Sequence, residues 1–177
     1  ALAALLIGIF FLYSHLTRDA TPPITADPDT SVPDTHPDWE TYMSASSTFK
    51  YPKDLGLTYV HATDWPPAVV MSSEEFSCTE AGVENESGGI TVGTWLTPDQ
   101  PACVTVRSEG AAGSTYRLYA YAIPQAEGQI IFTWGARFPQ CMNYDDPQQS
   151  ACKAEQESFD PDALIYAIYK TYKQVGD

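Results

Sequence analysis

The chain has 177 residues and a formal net charge of −14, with 23 acidic residues against 9 Lys and Arg. Proteins bind nucleic acid largely by neutralising its phosphates with Lys and Arg, so this charge argues against DNA or RNA as a partner. The length, less an apolar start and a linker, leaves one domain of ordinary size.

Residues 1–16, with the sequence ALAALLIGIFFLYSHL, are almost wholly apolar. A helix that spans a bilayer needs about 20 apolar residues. We therefore interpret residues 1–17 as a transmembrane helix of the signal-anchor type with a truncated start, which ties the protein to a membrane. The alternative is the remnant of a signal peptide, although no A-x-A-like cleavage site follows the apolar run.

Residues 18–38 repeat Pro among Thr, Ser and Asp. Proline lacks a backbone donor, and this composition offers nothing apolar to bury. We predict a semi-extended linker over 18–38 and a folded domain over 39–177.

The domain opens with segments that have the composition and alternation of strands. In QIIFTWGARF, residues 129–138, every second position is apolar and the positions between are mixed. Because side chains alternate between the two faces of a strand, this pattern predicts an antiparallel sheet covered mainly on one face. The strands over 55–62 and 67–72 are expected to pair around a turn at Pro66 and Pro67. In full, the predicted strands cover residues 39–43, 47–52, 55–62, 67–72, 89–96, 102–109, 114–123 and 129–138.

The stretch GAAGST, residues 110–115, has the glycine spacing of a flexible loop. A phosphate cradle presents backbone N–H groups at the start of a helix, but a Tyr-rich alternating strand follows here. We therefore interpret GAAGST as a turn that feeds a strand, with glycines where the backbone angles require them, and expect it to bind no phosphate.

The end of the chain predicts one helix. Residues 143–158 are polar and are expected to form a loop that contains at most a helical turn, with Glu155 and Glu157 solvated. In FDPDALIYAIYKTYKQ, residues 159–174, Asp160 is a good N-cap and Pro161 suits the first helical position. Strands followed by an amphipathic helix indicate an α+β fold, with this helix packed on a curved antiparallel sheet.

The four cysteines are widely spaced and lack the paired spacing of a zinc site. An even number of such residues in an exported domain predicts disulfides. We predict bonds between neighbours along the chain, Cys78 with Cys103 and Cys141 with Cys152. The domain is then expected outside the cytoplasm, in the periplasm or at the cell surface.

Two stretches, DWETYMSASSTFKYPKDL and FDPDALIYAIYKTYKQ, resemble the first strands and the closing helix of bacterial domains related to PsbP, the extrinsic subunit of photosystem II. The run EGAAGSTYRLYAYA…FTWGARFPQCMNY also looks like membrane-anchored or exported bacterial proteins with such a domain. The resemblance covers most of 39–174 and implies a curved antiparallel sheet. A nuclear-import factor that binds the GTPase Ran shares that fold, so the fold implies no common function.

Few side chains of the domain are candidates for catalysis or ligand binding. His61 in YVHATDW, with Asp64 nearby in sequence, is a candidate general base, although an ordinary strand histidine is the simpler interpretation. Arg117, Tyr119 and Tyr121 share one strand face, which is either an exposed stripe for sugar or peptide binding or a covered sheet face.

The metal content is left open, with calcium as the only candidate cofactor, since calcium prefers oxygen ligands from flexible loops. Its candidate ligands crowd around Cys78 in the sequence: Glu74, Glu75, Glu80, Glu84 and Glu86.

These observations predict a membrane-tethered extracytoplasmic domain without a catalytic site, which binds or scaffolds a protein or small ligand at the bacterial cell envelope. Two alternatives remain. One is a cell-envelope hydrolase that uses His61 with a nearby acid, and the other is an exported ligand-binding protein with a signal-peptide remnant.

Overall fold

The computed structural model describes residues 36–78, 90–94 and 100–175, with only the backbone course described for 90–94. The predicted anchor helix over 1–17 and the linker up to residue 35 lie outside this part of the chain. The described unit begins at His36, whose ring stacks on that of Trp39 at 3.9 Å between centroids. No helix in the described ranges is long and apolar enough to cross a bilayer.

The fold is α+β, as predicted, but it has two antiparallel sheets and two α-helices where one sheet and one helix were expected. The first sheet has the strand order β1-β2-β8 and the second has the order β3-β7-β6-β5-β4. In chain order the elements are β1 (Glu40–Met43), β2 (Ser47–Tyr51), β3 (His61–Ser72), β4 (Ile90–Thr94), β5 (Cys103–Ala111), β6 (Ser114–Pro124), β7 (Gln129–Pro139), a 3₁₀ turn (Cys141–Asn143), α1 (Gln148–Ser158), α2 (Pro161–Tyr169) and β8 (Lys173–Gln174).

The core lies on one face of the second sheet. The alternate residues of β7 that the sequence places together are all buried there: Ile130, Phe132, Trp134, Ala136 and Phe138. The ring of Phe132 contacts Phe49 of β2 at 6.0 Å and Tyr169 of α2 at 6.4 Å between centroids. The prediction of a sheet covered on one face, with the C-terminal helix packed on it, is confirmed.

The helix α2 begins as predicted. The Asp160 carboxylate accepts hydrogen bonds from the backbone N–H groups of Asp162 and Ala163, each at 3.0 Å, and Pro161 occupies the first turn. Ile165 and Ile168 are fully buried against the sheet. The helix ends at Tyr169 rather than near residue 174, because Lys173–Gln174 pairs with β2 as the short strand β8.

The segment 55–72 differs from the prediction of two strands paired around Pro66 and Pro67. Residues 55–60 are not strand, and β3 is one continuous strand whose register with β7 is irregular between Ala62 and Ala68. It is an edge strand, where prolines need not donate to a ladder.

The predicted polar loop over 143–158 is also wrong, since most of it forms the helix α1. Only Cys152 of this helix is buried, so the sequence carries no apolar stripe to reveal it. The helix is fixed instead by the disulfide of Cys152 with Cys141 and by hydrogen bonds that the Glu155 carboxylate accepts from the loop before β3.

Both disulfides have the predicted connectivity. Cys78 pairs with Cys103 across 5.3 Å between Cα atoms, and Cys141 pairs with Cys152 across 5.6 Å. Such bonds persist in oxidising compartments and indicate an extracytoplasmic location.

GAAGST contains a tight hairpin turn, as predicted. Ala111 pairs with Ser114, which leaves Ala112 and Gly113 as the loop between β5 and β6. Their φ angles are 46° and 74°, the positive values that two-residue hairpin turns with a right-handed strand twist require.

Candidate functional site

The main candidate site is a surface recess where β6 begins and β7 ends. It has a volume of about 490 Å³, within the range that small-molecule sites occupy. We call it the Arg117 recess, and its lining comes from both strands, the 3₁₀ turn and α1: Thr115, Arg117, Phe138, Pro139, Gln140, Cys141, Met142, Lys153 and Gln156.

Arg117 provides one charged group of this recess. Its side chain is exposed, and its guanidinium carbon lies 4.5 Å from the centre of the Phe138 ring. This cation–π contact covers one face of the guanidinium and holds its orientation. Of the residues that the sequence singled out as candidates for ligand binding, Arg117 is the one that lines this recess.

Lys153, from α1, provides the second charge. Neither Lys153 nor Arg117 forms an ion pair within the described part of the chain, and the lining contains no Asp or Glu among these residues. The recess is therefore locally positive in a molecule whose formal net charge is −14. Such an arrangement favours an anion at this place.

The walls of the recess are held by the polypeptide itself. The Gln156 side-chain amide donates to the Pro139 carbonyl at 2.7 Å, and the Gln140 N–H donates to the Gly113 carbonyl at 2.9 Å. The Cys141–Cys152 disulfide joins the 3₁₀ turn to α1 behind them. Because these bonds do not depend on Arg117 or Lys153, the recess is formed before any ligand binds.

Tyr119 and Tyr121 lie in the core rather than at a ligand-facing surface, with 3% and 0% of their surface exposed. The Tyr119 ring stacks on that of Trp134 at 4.8 Å between centroids. The Tyr121 hydroxyl donates to Asp162 at 2.9 Å, and burial raises the pKa of Tyr121. Of the two interpretations that the sequence left open for these tyrosines, the structure shows the covered sheet face.

His61 is exposed at the start of β3 and lines a smaller recess of about 210 Å³, the His61 recess, together with residues 53–57, Val60, Ala62 and Trp65. Asp54 also lines it, but its carboxylate accepts the Gly56 N–H at 2.8 Å.

Glu155 is the other carboxylate near His61, and it organises the loop before β3. It accepts the N–H groups of Thr58, Tyr59 and Val60 at 2.8, 2.6 and 2.8 Å. Partial burial would raise the pKa of Glu155, but these three donors and the nearby His61 outweigh it and hold that pKa below its usual value. The expectation that Glu155 is merely solvated was wrong, because the sequence did not reveal the helix that carries it.

Asp64, the predicted partner of His61, lies elsewhere. It pairs with Gly135 across the β3–β7 ladder, where a Cβ on Gly135 would come within 2.8 Å of the Asp64 carboxylate. His61 pairs with Arg137 further along the same ladder. Within the described residues His61 and Asp64 share no hydrogen bond or ion pair, so the proposed acid–base pair is not assembled.

The candidate calcium ligands are only partly described. Glu74 and Glu75 follow β3 and are exposed, whereas Glu80, Glu84 and Glu86 lie outside the described residues. Among the residues that the structure describes, no group of three or more His, Cys, Asp or Glu could hold a metal ion.

No family model matches this chain, and neither the curated proteins nor the solved structures contain a significant match. The resemblance to PsbP-related domains therefore stays a prediction from the motifs that carry it.

Proposed function

We propose that this protein is a non-enzymatic binding domain that acts outside the cytoplasm, with the Arg117 recess as its ligand site. The observation that carries the proposal is the pair of cations, Arg117 and Lys153, in a preformed recess of a strongly acidic molecule. Burial of a small ligand between a few oriented polar groups and an apolar wall is the usual arrangement of such sites.

The electrostatics of the whole chain sharpen the proposal. A net charge of −14 repels anions at long range, whereas the recess attracts them at short range. Salt screens the long-range repulsion more than the short contacts inside the recess. Ligand binding should therefore lose less affinity with added salt than it does in a basic protein.

The tether belongs to the same proposal. A helix over residues 1–17 would hold the domain at the membrane through the linker over 18–38. The two disulfides support a location of the domain on the extracytoplasmic side of that membrane. A PsbP-related origin of the domain is part of this proposal and rests on the quoted motifs. If the chain is recovered from the soluble fraction of its source cells and begins after Arg18, the alternative of a released ligand-binding protein holds instead.

The geometry around His61 gives little support to the hydrolase alternative. Asp54 and Glu155, the carboxylates near His61, accept backbone N–H groups of adjoining loops, and within the described residues neither forms a hydrogen bond with the imidazole that would orient it as a general base. We therefore propose binding rather than catalysis as the role of the domain.

Native mass spectrometry of the full chain, after incubation with small molecules extracted from the cell envelope, tests the proposal. We expect adducts that persist in the wild type and disappear in the variant Arg117→Gln combined with Lys153→Gln. Adducts that are equally abundant in wild type and variant, or chemical turnover of an extracted molecule that depends on His61, would contradict it.

A further inference from the structure

We infer that the Arg117 recess takes a small carboxylate with an apolar body, such as an aryl or alkyl carboxylic acid. This inference rests on the proposed function, because it names the chemical class that the same recess would select. It follows from three features of the lining, which concern the shape of the anion, its charge and the rest of the ligand.

The first feature is the orientation of Arg117. Its guanidinium lies over the Phe138 ring at 4.5 Å, which covers one face, and it hydrogen-bonds the Tyr119 hydroxyl, so the remaining N–H groups at the edge of the plane can meet a ligand. Guanidinium edges bind carboxylates through two parallel hydrogen bonds, in a planar geometry that a point charge cannot reproduce. A flat carboxylate therefore suits the oriented side chain.

The second feature is the position of Lys153 and Gln156 in the middle and second half of α1, away from its first turn. A phosphate site normally uses several backbone N–H groups at the start of a helix or in a nest. Here the charged donors are two side chains, and the net charge of −14 opposes a dianion more strongly than a monoanion. These facts favour a singly charged carboxylate over a phosphate.

The third feature is the apolar wall. Phe138 and Pro139 are buried residues that border the recess, and Met142 stands at its rim with 83% of its surface exposed. A long, unbranched thioether adapts to ligands of different shape. The wall thus provides a place for the hydrocarbon part of a carboxylic acid, which acetate or inorganic phosphate would leave empty.

A ligand-detected NMR titration of the full chain in detergent micelles tests the inference, with empty micelles as the blank. The probes are phenylacetate, the uncharged phenylacetamide, acetate and phenyl phosphate. We expect phenylacetate to bind at least roughly tenfold more tightly than the other three, because each lacks the charge, the apolar body or the planar anion.

Three variants locate the binding. Arg117→Gln should weaken phenylacetate roughly tenfold or more, as expected for a charge-assisted pair, and Lys153→Gln should weaken it severalfold. Arg107→Gln removes an exposed cation of β5 outside the recess and should change the affinity by less than about twofold. An unchanged melting temperature in all three variants shows that the fold is intact.

The other outcomes separate the inference from the proposed function. Phenyl phosphate that binds more tightly than phenylacetate and depends on Arg117 would overturn the carboxylate class but keep the recess as a ligand site. Equal binding of phenylacetate and phenylacetamide would overturn the role of the charges. Failure of every probe to bind would overturn the inference, and the extract experiment would then decide the proposed function by itself.

Discussion

Two neighbouring parts of one face of β6 differ in solvent exposure. Tyr119 and Tyr121 are buried in the core. Arg117, two positions before Tyr119 on the same face, is exposed and lines a recess. The difference lies in the cover, because α2 packs over the tyrosine half and only the 3₁₀ turn and α1 flank the arginine half. Alternation thus tells which face of a strand points inward, but not how far along the strand that face is covered.

The two halves also differ in how their polar groups are satisfied. In the covered half the Tyr121 hydroxyl has a protein partner, the Asp162 carboxylate at 2.9 Å. In the open half Arg117 has the Phe138 ring and a hydrogen bond with the Tyr119 hydroxyl, but no ion pair with a carboxylate within the described residues. The first half therefore contributes to stability, and the second half is where we propose that an anion binds.

The largest expected effect separates these halves directly. Tyr121→Ala should lower the free energy of unfolding by about 3–5 kcal/mol, as removal of a fully buried aromatic ring usually does. Arg117→Ala, on the same face, should change it by no more than about 0.5 kcal/mol. Urea denaturation of both variants checks the contrast, and equal losses would show that the arginine half is also part of the core.

The next largest effect concerns the disulfide behind the recess. Replacing Cys141 and Cys152 by Ser should lower stability by about 2–3 kcal/mol in the loop-entropy model. Because Cys141 lines the recess, the same variant should also weaken phenylacetate binding. Replacing Cys78 and Cys103 by Ser is the matched control, with a similar loss of stability but unchanged binding. Unchanged binding in both variants would mean that the disulfide does not shape the recess.

A smaller effect is expected at the anchor of α1. Glu155→Gln keeps one oxygen for Tyr59 and Val60 but turns an amide group toward the Thr58 N–H, so stability should fall by about 1–2 kcal/mol at neutral pH. Glu157→Gln, on the exposed side of the same helix, is the control and should be nearly neutral.

The pH dependence of this difference has a definite sign. The folded chain holds the pKa of Glu155 below its ordinary value of 4.5, so the unfolded chain takes up the proton first. The stabilisation is therefore present above about pH 4.5 and is lost as the pH falls through the folded pKa. Thermal melts of wild type and Glu155→Gln should converge at acid pH, and a gap that widens there would contradict the assigned role.

The smallest effect lies at the hairpin beside the recess. Gly113 has a φ of 74°, and a Cβ there would lie 2.9 Å from the Asn143 side-chain nitrogen, so Gly113→Ala should cost about 1 kcal/mol. Gly110→Ala, which meets no atom within 4 Å, is the control and should be neutral or slightly stabilising. Melting temperatures of the two variants that do not differ would contradict the turn geometry.

The sequence predicts well where local patterns carry the signal. The alternation of β7, the N-cap at Asp160, the turn at Gly113 and the pairing of the cysteines all follow from adjacent or regularly spaced residues. Segment 55–72 was misread because Pro66 and Pro67 resemble a turn, and only the edge position of β3 makes them tolerable.

The candidate site is less predictable, since its parts meet only in the folded chain. Arg117 was identified from its strand face, but Lys153 was missed because α1 has no apolar stripe. The chain has only 9 Lys and Arg, so an inventory of the cations of the domain would have included Lys153 as a candidate anion-binding residue. Lys153 lines the same recess as Arg117 because α1 is held at the end of β7 by the Cys141–Cys152 bond and the Gln156–Pro139 hydrogen bond, and the sequence did not reveal that helix.

The most direct test of the binding site is a map of where phenylacetate acts on the isotopically labelled full chain. We expect the backbone amide resonances of Thr115, residues 138–142 and Lys153 to shift with added phenylacetate, and those of β2 to stay in place. The shifts should vanish in Arg117→Gln. Shifts centred on the His61 recess, or shifts at the Arg117 recess that persist in Arg117→Gln, would contradict the account.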